Sequence, residues 1–260
     1  MQRFYGDQPH ILEKRRARTS KKSKCAPPRK RSGVKFAAVL SALSVLVLFC
    51  VVFGSSRTTT VARVKSKDWY FVGVFSSSDS GQASIKALDI RTRGGAGFIY
   101  NDGNYSVIAS VYPTGREAKT VAEKQPEPAT VIKVEFCEMK FSPEKADDTI
   151  LSVFSLPTAV VAELNATAQS YEKGNLTESE VAYRLDAIGA RARELTYAIE
   201  QNTSRAATCA EKILAVISDA ADRADDDASA VLSSRLRFCA CEIVDKVAEL
   251  SAVYSALRLP

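Results

Sequence analysis

One histidine, His10, and six cysteines are the near-neutral titrating side chains available in 260 residues. His10 sits in a strongly basic N-terminal segment. The rest of the chain therefore cannot build a Ser-His-Asp or Cys-His nucleophile, a histidine zinc site or a histidine general base. Carboxylates remain as candidate chemistry. A glycan hydrolase needs two that converge on one bond, and no pair here is spaced to suggest it. The run Asp225-Asp226-Asp227 lacks the glycine and the closing glutamate of a calcium loop and reads as a solvated turn. These residues point to no enzyme, no metal and no cofactor, which leaves thiol pairing and surface recognition.

Which thiols can pair depends on compartment. Residues 1–35 hold twelve Lys or Arg against Asp7 and Glu13, a charge of +10, while the other 24 cations and 28 acids leave the body at −4. The basic pI belongs to the tail, and a nucleic-acid-binding fold is not what this charge describes. Phe36 to Gly54 comes next, nineteen uncharged residues with Ser41 and Ser44 as the polar interruptions. At 1.5 Å per residue it spans about 28 Å, a transmembrane helix by length. The positive-inside rule places the tail in the cytoplasm and residues 55–260 outside, a single-pass protein of the cell membrane. A cleaved signal peptide is the alternative, with Val52-Phe53-Gly54 near its end, but its apolar core is ordinarily shorter.

Residues 55–67, rich in Ser and Thr, form a linker to two unlike regions. In the first, 68–137, Trp69 to Phe75 is a β-branched and aromatic strand. A helix runs from Ser80 to about Ile90, with Ala83, Ile85, Ala87 and Leu88 at helical spacing. Gly94, Gly95 and Gly97 break it, Phe98 to Tyr100 is a short strand, and Asn101-Asp102-Gly103 is a hairpin turn. Tyr105 to Tyr112 returns. Pro113-Thr114-Gly115 opens a second helix, and Thr130 to Phe136 closes the region as an alternating strand. The order is βαββαβ, and the predicted fold class is α+β.

This region resembles the SPOR domain, the sporulation-related repeat of bacterial envelope proteins. The matching words are Tyr70-Phe71-Val72-Gly73-Val74-Phe75 ahead of a helix containing Ala83, and Tyr105 to Tyr112 followed by Thr114-Gly115-Arg116-Glu117-Ala118. The resemblance covers about a quarter of the chain and implies binding of peptidoglycan glycan strands near division or spore septa. The glycan-contacting positions it implies are Trp69, Phe71, Phe75, Asn104, Ser106 and Tyr112. Four positions depart from the family pattern: a common Gln falls on Phe71, a Ser on Val74, and a Trp and an Arg fall on Asn104 and Ser106. Aromatic surface is thus present while the usual donors are missing, and the same aromatics would equally serve to cover the sheet.

The second region, 142–260, reads as helices. Ser142-Pro143-Glu144 resembles a helix start, Pro157 a break, Gly174 an end, and Thr177 with Glu180 a capping box. From Val181 to Ala220 apolar residues recur in steps of four and three, with Asn202 as the polar exception. Leu232 to Leu257 repeats the pattern after a turn at Asp222–Asp227. Two long antiparallel helices, joined by 142–174 as a third member, are expected. In such a hairpin facing residues lie equally far from the turn centre. Cys209 and Cys239 are equidistant from position 224, so a Cys209–Cys239 disulfide is expected, with two reduced core thiols as the alternative. Cys241 is then free or paired with Cys137. Asn104, Asn165, Asn175 and Asn202 begin Asn-x-Ser/Thr sequons, which would be glycan acceptors in a eukaryotic exported protein.

Two functions fit these residues. The first is a non-catalytic, membrane-anchored protein that binds peptidoglycan in cell division or sporulation. The second is a structural or interaction protein whose helical bundle holds a protein partner or a second copy, and whose sheet no longer binds glycan.

Overall fold

The computed structural model describes residues 62–142, 146–226 and 231–256. The basic tail and the apolar span at 36–54 lie outside the described residues. Residues from Thr58 onward form one compact unit.

Among the described residues that unit has six strands and seven helices: β1 Ala62–Val64, β2 Lys67–Ser77, α1 Ser80–Thr92, β3 Phe98–Asn101, β4 Tyr105–Tyr112, α2 Gly115–Ala122, β5 Thr130–Phe136, β6 Met139–Phe141, α3 Asp148–Val153, α4 Leu156–Glu172, α5 Glu178–Ile199, α6 Arg205–Asp226 and α7 Leu232–Ala256. The fold is α+β, an antiparallel four-stranded sheet followed by helices. Sheet order is β3-β4-β2-β5, with every pairing antiparallel. The expected βαββαβ order is present at nearly the expected residues. The Asp79 carboxylate caps α1 by accepting from the Gly81 and Gln82 N–H groups, and Thr114 caps α2 by accepting from Glu117 N–H. Gly103 takes φ +112° in the β3–β4 turn, where Asn101 Oδ1 accepts its N–H at 3.1 Å.

One face of the sheet packs on α1 through Val74, Ala83, Ala87, Ile90, Val107 and Ala109, and α2 packs on β2, β4 and β5. On α1 the buried stripe is Ala83, Ala87 and Ile90, while Ile85 and Leu88 point to solvent. The other face carries Trp69, Phe71, Val111 and Val134 into a larger core shared with the helices. Two strands that the sequence pattern does not announce, β1 and β6, form a separate ribbon with Ala62 opposite Phe141 and Val64 opposite Met139. β1 falls within the stretch expected to be linker, and Met139 and Phe141 seal the end of the common core.

The helical region differs from the expected hairpin in two places. The stripe from Val181 to Ala220 is two helices rather than one. Asn202 N–H bonds back to Ile199 O, Asn202 Oδ1 accepts from Ser204 N–H at 2.9 Å, and Ser204 Oγ caps α6 by accepting from Ala207 N–H. Asn202 therefore shapes a turn and does not sit on a helical seam. The acidic residues as far as Asp226 also belong to helix, since α6 continues to that point; Asp227 lies outside the described residues. The described start of the region is Asp147, which caps α3 at Ile150 N–H; Pro143 and Glu144 lie outside the described residues. Gly174 ends α4 with φ +69°, and the Thr177/Glu180 capping box opens α5, both as expected.

α7 is the central element. It packs on α4 on one side, on α6 on another, and on β3, β4 and β5 on a third. Its buried residues accordingly cover more than half of its circumference and include Leu236, Cys239, Cys241, Ile243, Val244 and Val247, while Lys246, Glu249 and Val253 face solvent. Among the described residues, the stretch long and apolar enough to cross a membrane is Asp148–Glu172, which is broken at 154–155 and partly buried.

Candidate functional site

Strand alternation would place Phe71 and Phe75 on one side of β2. The register shifts on either side of Gly73, a bulge where an added Cβ would come within 3.1 Å of Thr130 Oγ1. An extra residue in one strand reverses the facing of every residue beyond it. Phe71, opposite Val111, faces the common core, while Phe75, opposite Val107, is half-buried on the α1 side. Trp69 is 4% exposed and Phe71 fully buried. Ser106 is buried on the Phe71 side with its hydroxyl 3.4 Å from Ser76 Oγ. Tyr112 pairs with Tyr70 on the α2 side, and Asn104 is exposed beside the β3–β4 turn. The six expected glycan contacts are thus split between two faces and a turn, and Trp69 and Phe71 are packing residues.

The helices are locked onto that face by polar and aromatic contacts. Arg91 lies 4.6 Å over the Phe238 ring, Phe238 meets Phe98 edge-on at 5.5 Å, and Phe71 meets Phe98 and Tyr100 at 6.1 and 5.3 Å. Arg237 donates to Gly94 O at 2.6 Å and, as a fork, to both oxygens of Glu172 at 2.5 and 2.7 Å. This ties the α1–β3 turn to α7 and α4 at once. The guanidinium holds the Glu172 carboxyl below the usual carboxylate range. Gly94 has φ +84°, and a Cβ there would lie 2.8 Å from Glu172 Oε1, so conformation and space both require glycine. Asn165 Nδ2 donates to Val111 O at 2.8 Å, which joins α4 to β4 and occupies the amide of that sequon. Lys67 Nζ donates to Thr158 Oγ1 at 2.8 Å and lies 5.0 Å over Trp69; burial lowers its pKa.

The expected Cys209–Cys239 bridge is absent, and Cys137, Cys209, Cys239 and Cys241 are free thiols. The reason is register. Cys239 Sγ contacts Ala220 O, Arg235 donates to Ala224 O, and Arg205 donates to Tyr254 O. All three pairs are centred between positions 229 and 230 rather than at 224. Cys209 therefore lies level with position 250, eleven residues and about 16 Å along α7 from Cys239. Its sulfur meets Met139 Sδ at 3.9 Å instead. Burial pushes the Cys209 and Cys239 thiols up to about 12. Cys137 N–H donates to Ser251 Oγ, ten residues from Cys241, so those two are not paired either.

Among the described residues, two surfaces stand out. On the α2 side a shallow groove is lined by Tyr70, Gly115, Arg116, Lys119, Thr120, Glu123 and Val131, and the absence of a side chain at Gly115 lets the Tyr70 ring lie against it. The other is the outer face of α5, where Tyr183 and Tyr197 are 75% and 80% exposed. Among the described residues no group of three or more His, Cys, Asp or Glu is arranged to hold a metal. Sequence reasoning missed both surfaces, because the resemblance drew attention to the strand aromatics. Comparisons of the chain with protein-family models, with curated proteins and with solved structures each return no match.

Proposed function

We propose that this chain is a membrane-anchored, extracytoplasmic, non-catalytic interaction protein, in which a SPOR-like sheet is a structural platform and the helical layer is the working surface. The observation that carries this reading is the burial of Trp69 and Phe71 beneath α7. A ligand reaching that face would have to displace a 25-residue helix and its core. The anchor and its orientation rest on the apolar span and the +10 flank. The test is co-sedimentation of the full chain in detergent with intact and amidase-treated cell-wall sacculi. The expected result is protein in the supernatant with both.

The α2 groove favours a second reading, in which contact with peptidoglycan glycan strands is kept on the opposite side of the sheet. It offers one flat ring, Tyr70, beside the donors Arg116, Lys119 and Thr120 and the acceptor Glu123. Sedimentation that disappears in Tyr70→Ala/Arg116→Ala would establish this second reading and overturn the first.

A further inference from the structure

The outer surface of α5 carries two exposed tyrosines at even spacing about its middle. The helix buries Val181, Leu185, Ile188, Ala192, Leu195 and Ile199. At 100° per residue, Tyr183, Ala190 and Tyr197 fall on the opposite side. Tyr183 and Tyr197 are the most exposed large apolar side chains among the described residues, and tyrosine is a favoured anchor of protein interfaces. They stand seven residues before and seven residues after Ala190. The stripe therefore has the same spacing read from either end.

We propose that this face pairs antiparallel with the same face of a second copy, on a twofold axis at Ala190. A twofold interface requires that if residue i meets j, then j meets i, and the spacing satisfies this twice over. With the axis at Ala190, Tyr183 meets Tyr197 of the second copy at both ends. Asp186 lies four residues before the axis and Arg193 three after it, on the same flank of the stripe, so each Asp186 faces an Arg193 of the other copy. Arg193 lies 3.7 Å from Asp222 within its own chain, a long contact at an exposed site that leaves guanidinium donors to spare. Glu194, on the other flank, is matched internally by Arg191 at 2.7 Å. Ala187 and Ala190 keep bulk from the centre and let the helices approach. The proposal rests on the reading of the helical layer as working surface and names the partner of that layer. Two anchors in one membrane would raise the effective concentration of the two faces.

The test uses the full chain in detergent with Cys25→Ser and Cys50→Ser. Ala190→Cys, on the axis, should give a disulfide-linked dimer on mild oxidation, while Ser84→Cys on the exposed side of α1 should not. Light scattering should report twice the 28.2 kDa chain mass. Tyr183→Arg/Tyr197→Arg should return it to one chain mass and abolish the Ala190→Cys cross-link. Asp186→Arg should weaken the dimer by about tenfold or more, and adding Arg193→Asp should restore it, because the charge pair is reversed and kept. A chain that stays monomeric, a dimer indifferent to these four side chains, or a cross-link only to a different protein overturns the pairing. Sacculus binding by a chain that still dimerises would overturn the functional reading and leave the pairing standing. A monomer that ignores sacculi would do the reverse.

Discussion

Phe71→Ala removes a side chain with no exposed surface and two aromatic neighbours, Phe98 and Tyr100, at 6.1 and 5.3 Å. If Phe71 served a ligand on an open sheet, truncation would cost binding and little stability. Beneath α7 it should leave a cavity the surroundings cannot fill, because strands on one side and a helix on the other hold the walls. Phe→Ala at such sites costs about 3–5 kcal/mol, a large part of the roughly 5–15 kcal/mol that holds a domain together. For a unit of this size each kcal/mol moves the melting temperature by about 2–4 °C, so a fall of roughly 6–20 °C is expected. Phe75→Ala, half-buried on the opposite side of the bulge, should cost about 1–2 kcal/mol. Thermal melts followed by far-UV circular dichroism on the full chain in detergent give both values. A Phe71→Ala protein that melts within about 2 °C of the parent, or one that is no less stable than Phe75→Ala, would refute the placement of Phe71 in the shared core.

Arg237→Leu should cost about 1–3 kcal/mol in urea unfolding at neutral pH, a range discounted for the partial exposure of Glu172. The Glu172 carboxyl is held below its usual range in the folded state, so its stabilisation is present above the unfolded carboxylate pKa and lost as pH falls through the depressed value. The parent should therefore lose more stability between neutral and acid pH than Arg237→Leu; parallel curves would contradict the ion pair. With the Cys209 and Cys239 thiols pushed up to about 12, both should react slowly with a disulfide reagent in native protein near pH 8 and promptly in denaturant. A Cys209–Cys239 disulfide peptide in a non-reducing map would refute the observed register.

The elements of the sheet were legible because each carries its own local signal: alternation in β5, the Asn-Asp-Gly turn, and the Asp79 and Thr114 caps. The burial of both faces was also written in β2 and β4, where apolar residues occupy both parities from Trp69 to Val74 and from Val107 to Val111, the pattern of strands covered on two sides. An aromatic ligand surface carries the same residue types, so the pattern alone does not separate the two. The bulge at Gly73 had no comparable mark, since one glycine in a strand fits either regular pairing or a bulge. In the helices, heptad spacing determines which residues turn inward but not where the chain turns back. The stripe keeps phase across Asn202, so a two-helix hairpin and one long helix share the same pattern. The acidic run resembles a loop by composition yet continues α6, and that displacement of the turn by five to six positions is what separates Cys209 from Cys239. Nothing in the spacing shows that α7 lies on the sheet, because that contact joins residues more than a hundred positions apart.

The position of α7 has a consequence for how the chain is made. The helix that completes the sheet's inner face follows all of its strands in the chain, so it leaves the ribosome after them. Until Leu232–Ala256 arrives, Trp69, Phe71 and Phe98 lack the cover of that helix, although every strand that bears them is already made. The sheet cannot finish folding vectorially and must wait in a partly open state for α7, with its aromatic surface available to chaperones or to neighbouring chains. Truncations that remove α7 should therefore misfold or aggregate rather than yield a smaller, stable sheet domain. The same delay means that a pause in translation between β5 and α7 should raise the aggregation risk of this protein.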